Sequence, residues 1–312
     1  MVKKWLALLL ALVMILSFAA CGSSDDDDEE EEKTPKKETV KTPEEEEEEE
    51  QEEENEEEEN TDKTPVTDSF LLLDSEDFLV EISDLHVDEL WGYAMTVRFE
   101  NHTEKACTLS FEDTALNDIV ATNMVYLDAK AGGTVTEECY LLDADPETFG
   151  LKEFTKLDLT LNIFDSETFE TITEEAAVVY PLGESKHIPY ERKPQATDVV
   201  LLENADFQIV LTGISPDDFF GYTLHLYVIN HSEQNLMFSL DETKLNDVDC
   251  FSLWATTIPS HKQAFTDISW MEDTLKEKNI TEIQSILLEF YVADADDWMA
   301  DPIAKEKVEI TP

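Results

Sequence analysis

The sequence predicts an all-β protein built from two copies of one antiparallel β-sandwich. Three observations predict it. A stretch from about Phe70 to Gly183 recurs from about Val199 to Pro312 at a constant offset of 129 residues, so that Asp77-Phe78 answers to Asp206-Phe207. Within each copy apolar and polar residues alternate, which buries one face of a strand and wets the other. The alternating runs are separated by turns every 8 to 12 residues or so, the pattern of a sandwich.

Taken in order, residues 1–20 read as a secretory leader. Lys3 and Lys4 precede an uncharged apolar run of 16 residues, Trp5 to Ala20. A spanning helix takes about 20 apolar residues. A cleaved leader needs a shorter apolar core behind basic residues, with small residues at the cut. Phe18-Ala19-Ala20-Cys21 resembles the bacterial lipobox, an aliphatic residue, two small residues and Cys, with Phe18 where leucine is usual. That resemblance implies lipidation of Cys21, which then becomes the first mature residue. One acyl chain holds a protein only reversibly, whereas the two chains of a diacylglyceryl group anchor it firmly. The alternative is plain secretion with cleavage after Ala19, since Ser17-Phe18-Ala19 fits a small-x-small site. Lipidation implies a lipoprotein on the extracellular face of the cell membrane.

Residues 21–66 hold almost nothing that can build a core. Asp25 to Glu32 is one acidic block, and Glu44 to Glu59, interrupted by Gln51 and Asn55, is another. Like charges at this density repel, and too little apolar surface is present to offset the ordering entropy. The expectation is a disordered acidic tether.

The first copy spans 67–183 and the second 198–312. Residues 184–197 link them, and Pro181, Pro189 and Pro194 mark the junction. Phe78, Val80 and Ile82 alternate with polar residues, as do Tyr93, Met95, Val97 and Phe99, and then Cys107, Leu109 and Phe111. A middle strand is expected near Ile119 to Leu127, and three more over Thr134 to Leu142, Leu157 to Phe164 and Ile172 to Tyr180. Glu147 to Phe154 is expected to make one short helical turn, with Asp273 to Ile283 as its counterpart. Gly92 and Gly221 precede long strands, where a sharp start needs no Cβ. Asn101-His102-Thr103-Glu104 recurs as Asn230-His231-Ser232-Glu233 and Leu116-Asn117-Asp118 as Leu245-Asn246-Asp247. Both motifs read as tight turns, because Asn tolerates a positive φ.

These motifs resemble the uncharacterised immunoglobulin-like sandwich domains carried by lipoproteins of Gram-positive, clostridial-type bacteria. The likeness rests on the Gly-Tyr start of a long strand, the Asn-His-Thr/Ser turn that ends it and the later Leu-Asn-Asp. It covers nearly all of residues 70–312. It implies an immunoglobulin-like fold and a surface location, and it transfers no catalytic or binding residue.

The formal net charge is −53, from 74 Asp and Glu against 21 Lys and Arg. Binding of phosphate backbones needs clustered cations, so no nucleic-acid partner is expected. Beyond Cys21 the chain has Cys107, Cys139 and Cys250. Cys107 and Cys139 are able to pair, although buried thiols acting as small hydrophobes fit better. No cofactor is expected and no metal ligand set is assigned. The best calcium candidate, Asp294, Asp296, Asp297 and Asp301, lacks the glycine and terminal glutamate of a calcium loop and reads as an acidic hairpin tip. No G-x-S-x-G elbow and no Gly-rich phosphate loop is present. Phe219, Phe220 and Trp298 are assigned to the core by default. The expected function is non-catalytic: presentation of two immunoglobulin-like domains for adhesion, scaffolding or binding of an extracellular protein or cell-wall component. A solute- or calcium-binding accessory lipoprotein is the alternative.

Overall fold

The protein is represented by a computed structural model that describes residues 69–142, 144–297 and 299–312. The leader, Cys21, the tether and Trp298 lie outside the described residues. The described residues all belong to one compact unit.

The first copy contributes β1 (Phe70–Asp74), β2 (Phe78–Asp88), β3 (Gly92–Asn101), β4 (Cys107–Leu116), β5 (Ile119–Val120), β6 (Thr122–Asn123), β7 (Tyr126–Ala129), β8 (Thr134–Leu142), β9 (Leu157–Asp165) and β10 (Thr171–Val179). One layer runs β1-β2-β3-β8-β6; the other runs β10-β9-β4, with β5 and β7 both on β4. The second copy contributes β11 (Val199–Glu203), β12 (Phe207–Asp218), β13 (Gly221–Asn230), β14 (Leu236–Leu245), β15 (Val248–Asp249), β16 (Ala255–Ile258), β17 (Gln263–Trp270), a short helix α1 (Glu272–Glu277), β18 (Ile286–Asp294) and β19 (Ala304–Ile310). Its layers are β11-β12-β13-β17 and β15-β14-β18-β19, with β16 on β14.

The alternation becomes two separate cores. Leu157, Leu159, Leu161 and Ile163 point inward from β9, and Ile286, Leu288, Phe290 and Val292 do the same from β18. Period two puts every second side chain on one face. Phe78 packs against Phe99 in the first core, ring centroids 6.0 Å apart, and Phe207 against Phe238 in the second at 5.5 Å. Full burial of one such ring is worth about 1.5–3 kcal/mol.

Three details of the element pattern depart from the sequence-based expectation. The edge strands β1 and β11 are additional, because Leu71-Leu72-Leu73 and Val199-Val200-Leu201-Leu202 carry no alternation to mark them. The expected middle strand is broken in three: β5 and β7 pair with β4, while β6 crosses to β8 in the facing layer. The segment 147–154 forms no helix: hydrogen-bonded turns run from Pro146 to a left-handed Gly150 with φ 71°, and irregular backbone follows. Its counterpart does fold as α1.

The repeated asparagine of Asn101-His102 and Asn230-His231 is not a left-handed turn residue. Both side chains are buried. Asn101 Nδ2 donates to the carbonyls of Lys105 (2.7 Å), Ala129 (3.1 Å) and Lys130 (3.2 Å), and its Oδ1 accepts from the amide (3.0 Å) and hydroxyl (2.8 Å) of Thr103. Asn230 repeats this with Gln234, Ile258, Pro259 and Ser232. Each asparagine therefore ties two loops together at one end of its sandwich, satisfying backbone groups that burial would otherwise strand. The Leu-Asn-Asp motif does make the expected turn. Asn117 and Asp118 have φ of 49° and 69°, and Asn246 and Asp247 have 51° and 64°.

Candidate interaction site

The two copies stack head to tail, and the contact is a second use of the Leu-Asn-Asp turn. Asp118 and Ile119 lie where β4 ends and β9 begins. The loop before β17 comes to this end. Gln263 N donates to the Asp118 carbonyl at 3.0 Å, and Ile119 pairs with Gln263 in parallel. That bridge joins layers of both copies into one nine-stranded sheet.

Four charged side chains close the joint. Lys262 Nζ lies 2.7 Å from Asp118 Oδ1 and 3.0 Å from Asp158 Oδ1. Lys156 Nζ lies 2.8 Å and 3.0 Å from the same two oxygens. All four side chains are only 13–23% exposed. Two lysines and two aspartates sum to zero charge, which is what makes their burial tolerable. Burial pushes the Asp118 carboxyl up, but hydrogen bonds from Lys156 and Lys262 and their charges outweigh it and hold it below the usual carboxylate range. Burial likewise disfavours the Lys156 ammonium, and the two aspartates outweigh it in the opposite sense. Asp158 Oδ2 is buried with no hydrogen-bond partner, so the cluster is imperfectly satisfied.

Aromatic contacts surround the charges. Phe149 of the first copy stacks on Phe265 of the second at 5.8 Å and 11°. Tyr190 of the linker meets the same Phe265 ring edge-on at 6.4 Å. Arg192 grips Asp198 with two hydrogen bonds of 2.6 and 2.9 Å and lies over Tyr227, 5.2 Å from its centroid. The linker is thus packed down on the second copy.

Of the joint's charged residues the sequence pattern marks only Asp118, as a turn residue; Lys156, Asp158 and Lys262 belong to no motif. A signal for them exists, because they break the repeat. At the 129-residue offset, Gly133 stands for Lys262, Ser285 for Lys156 and Leu287 for Asp158. Only Asp118 has a like counterpart, Asp247.

The sequence-derived candidates fall as follows. Cys21 lies outside the described residues. Cys107, Cys139 and Cys250 are free thiols, all buried, and burial with the charges of Glu137 and Glu138 pushes Cys139 up to about 12. Asp294 accepts from the Asp296 amide at 2.9 Å and from Gln234 Nε2 at 3.0 Å. Among the described residues no three His, Cys, Asp or Glu side chains converge as a metal ligand set. Phe219 and Phe220 are not core: they are 53% and 44% exposed at the β12–β13 turn, because β13 turns inward only from Tyr222 onward.

One arrangement was not anticipated. Ser215 Oγ lies 2.7 Å from His225 Nε2, and His225 Nδ1 lies 2.8 Å from Asp267 Oδ1. The connectivity matches a nucleophile, base and orienting carboxylate. Its setting does not. The Asp267 side chain is 56% exposed and stands directly opposite His225 in the β13–β17 register. At the matching positions of the first copy, His86 lies 3.8 Å from Glu138, and Thr96 replaces the second histidine. The second copy therefore carries a directly opposed histidine–carboxylate pair on a solvated sheet face, and in the first copy His86 of β2 approaches Glu138 of β8 across β3.

Comparison with known proteins adds little. No protein-family model matches the chain, and no curated protein matches it. Among solved structures, a FixG-related protein from Vibrio parahaemolyticus is similar at 14% identity and TM-score 0.23, covering 34% of this chain and 97% of its own. The YadV chaperone is similar at 11% identity and TM-score 0.21, covering 70% and 92%. The Salmonella enterica SafA pilin in complex with the SafB chaperone gives 7% identity and TM-score 0.21, covering 70% and 89%. TM-scores this low leave the fold to rest on the strands and cores described above.

Proposed function

We propose that the chain is a non-catalytic surface lipoprotein, anchored through Cys21 at the extracellular face of the cell membrane. It presents two immunoglobulin-like sandwiches to an extracellular protein or cell-wall component, for adhesion, scaffolding or partner binding. The observation that carries this reading is the locked head-to-tail joint. Ligand clefts in two-domain proteins lie preferentially between the domains. Here the space between the copies is filled by charges, stacked rings and a β-bridge, leaving outer faces and end loops as working surfaces. The acidic segment 22–62 stands between the anchor and the first copy, in the place of a spacer.

Metabolic labelling with an alkyne fatty acid tests the anchor, and retention of wall fragments or secreted proteins on the immobilised full chain tests the display role. Label on the wild type that is absent from Cys21→Ala, together with a retained ligand, is the expected result. A Cys21→Ala protein that stays in the membrane fraction, or no retention above a blank matrix, contradicts the reading.

A further inference from the structure

The docking platform of the first copy exists again, uncovered, in the second. In the first copy the Asn117-Asp118 turn folds β5 back on β4 with Ala115↔Val120 and Leu116↔Ile119. In the second, the Asn246-Asp247 turn folds β15 back on β14 with Lys244↔Asp249 and Leu245↔Val248, the same pairs shifted by 129. Both turns use the same left-handed backbone. Their surroundings differ. Ile119 is fully buried beneath the second copy, and Val120 packs into the second core. Val248 is 39% exposed, with Asp247 and Asp249 exposed on either side. Among the described residues Asp247 has no salt-bridge partner equivalent to Lys262.

An apolar tip lies beside this bare platform. Phe251 and Leu253, which follow β15, are 68% and 89% exposed, and Met271 is 64% exposed. The two segments meet, since Ser252 Oγ donates to the Ser269 carbonyl at 2.8 Å. Gly221 lies against Met271, whose Cα would be 3.1 Å from a Cβ there, and this carries the patch on to Phe220.

We propose that this end of the second copy receives an extended segment of another protein, bound as the first copy binds residues 262–265. The partner places a lysine or arginine on Asp247, as Lys262 sits on Asp118. It then runs parallel to β15 and sets apolar side chains on Phe251, Leu253 and Met271. Charge complementarity selects the cation: exposed carboxylates flank the apolar residues along the chain, Asp247 and Asp249 before Phe251, Asp217 and Asp218 before Phe220, and Glu272 and Asp273 after Met271. Although Asp249 pairs with Lys244 and Glu272 and Asp273 with Lys276, Asp247 and Asp217 have no lysine or arginine partner among the described residues, in a chain of net charge −53. A second copy of this chain is a poor occupant. Its first sandwich shows Gly133 and Thr134 where Lys262 and Gln263 stand, so it brings no cation, and like-charged chains repel. This inference rests on the partner-binding reading and names the surface and the chemistry of the partner.

The test uses the full chain and a synthetic peptide of residues 259–268 of this sequence, with a photoreactive benzoylphenylalanine in place of Phe265. Illumination followed by peptide mapping is expected to place the adduct within 247–253 or on Met271. Its yield is expected to fall at least about fivefold with Asp247→Lys in the chain, and equally with Lys262→Glu in the peptide, since removing a charge pair of this kind costs on the order of 1 kcal/mol. An adduct no stronger than that of a scrambled peptide overturns the proposal. So does an adduct mapped elsewhere, including 117–120, or one indifferent to Asp247→Lys. Concentration-dependent self-association abolished by Asp247→Lys overturns it in favour of a second copy. None of these outcomes alters the fatty-acid labelling at Cys21, so failure here is distinct from failure of the anchored-display reading.

Discussion

Replacing Lys262 by methionine removes one cation from a cluster of four charges and keeps the length of the stem. Asp118, Asp158 and Lys156 remain, with one uncompensated negative charge. Breaking a fully buried ion pair costs about 3–5 kcal/mol. The side chains here retain 13–23% exposure, so water screens part of the loss and roughly 2–3 kcal/mol is expected. For a unit of this size about 2–4 °C accompanies each kcal/mol, giving a fall of roughly 4–12 °C in Tm. Urea unfolding followed by tryptophan fluorescence checks it, with Trp91 in the first copy and Trp254 and Trp270 in the second. The charge argument makes a sharper demand. Lys262→Met combined with Asp158→Leu leaves a neutral Asp118–Lys156 pair, and Leu is the residue found at the equivalent position 287. The double variant is expected to regain stability to within about 1 kcal/mol of the wild type. A single variant within about 0.5 kcal/mol of wild type, or a double variant weaker than the single, refutes the reasoning.

The same cluster sets an acid limit. Asp118 has a folded pKa below its unfolded value of about 3.9, so its contribution is complete above that value and is lost as pH falls through the folded one. The stability gap between wild type and Lys262→Met is therefore expected to be flat from about pH 5 to 8 and to shrink below about pH 4 in urea titrations. Asn101→Ala leaves three loop carbonyls and the Thr103 groups without their partner. It is expected to cost about 3 kcal/mol in urea unfolding, against less than about 0.5 kcal/mol for the exposed neighbour in His102→Ala. Gly221→Ala drives a Cβ into the Trp270 carbonyl at a φ of 94°. Gly132→Ala meets nothing within 4 Å at a φ of 63°. Thermal unfolding should show the first losing at least about 3 kcal/mol and the second about 1. Cys107, Cys139 and Cys250 are buried and free. Thiol titration is accordingly expected to find them unreactive in the folded chain and all reactive in denaturant, and reductant is expected to leave the Tm unchanged.

What the sequence made legible follows from what local pattern encodes. Alternation in Leu157 to Ile163 and its echo in Ile286 to Val292 announce strands, because a half-buried strand must alternate. Gly92 and Gly221 announce sharp starts, because only glycine sits easily at their φ. The edge strands β1 and β11 are invisible because each carries an irregularity, between Leu71 and Leu73 and between Val200 and Leu202, that breaks the period of two. Propensity alone makes Asn101 and Asn230 turn residues. Their role depends on carbonyls 28 and 29 residues away in the chain, which no local pattern reports. The joint was hidden for a similar reason. Asp118, Lys156, Asp158 and Lys262 come from three separate stretches, and a lysine on an acidic chain looks like any other. Comparison of the copies marks Lys156, Asp158 and Lys262, as positions where one fold kept its backbone and changed its chemistry, whereas Asp118 is repeated as Asp247.

Amide relaxation across residues 70–310 bears most directly on the head-to-tail lock. One rotational correlation time, shared by the strands of both sandwiches at neutral pH, is the predicted result. Two distinct correlation times, with the sandwiches tumbling independently while Lys262 is intact, contradict it.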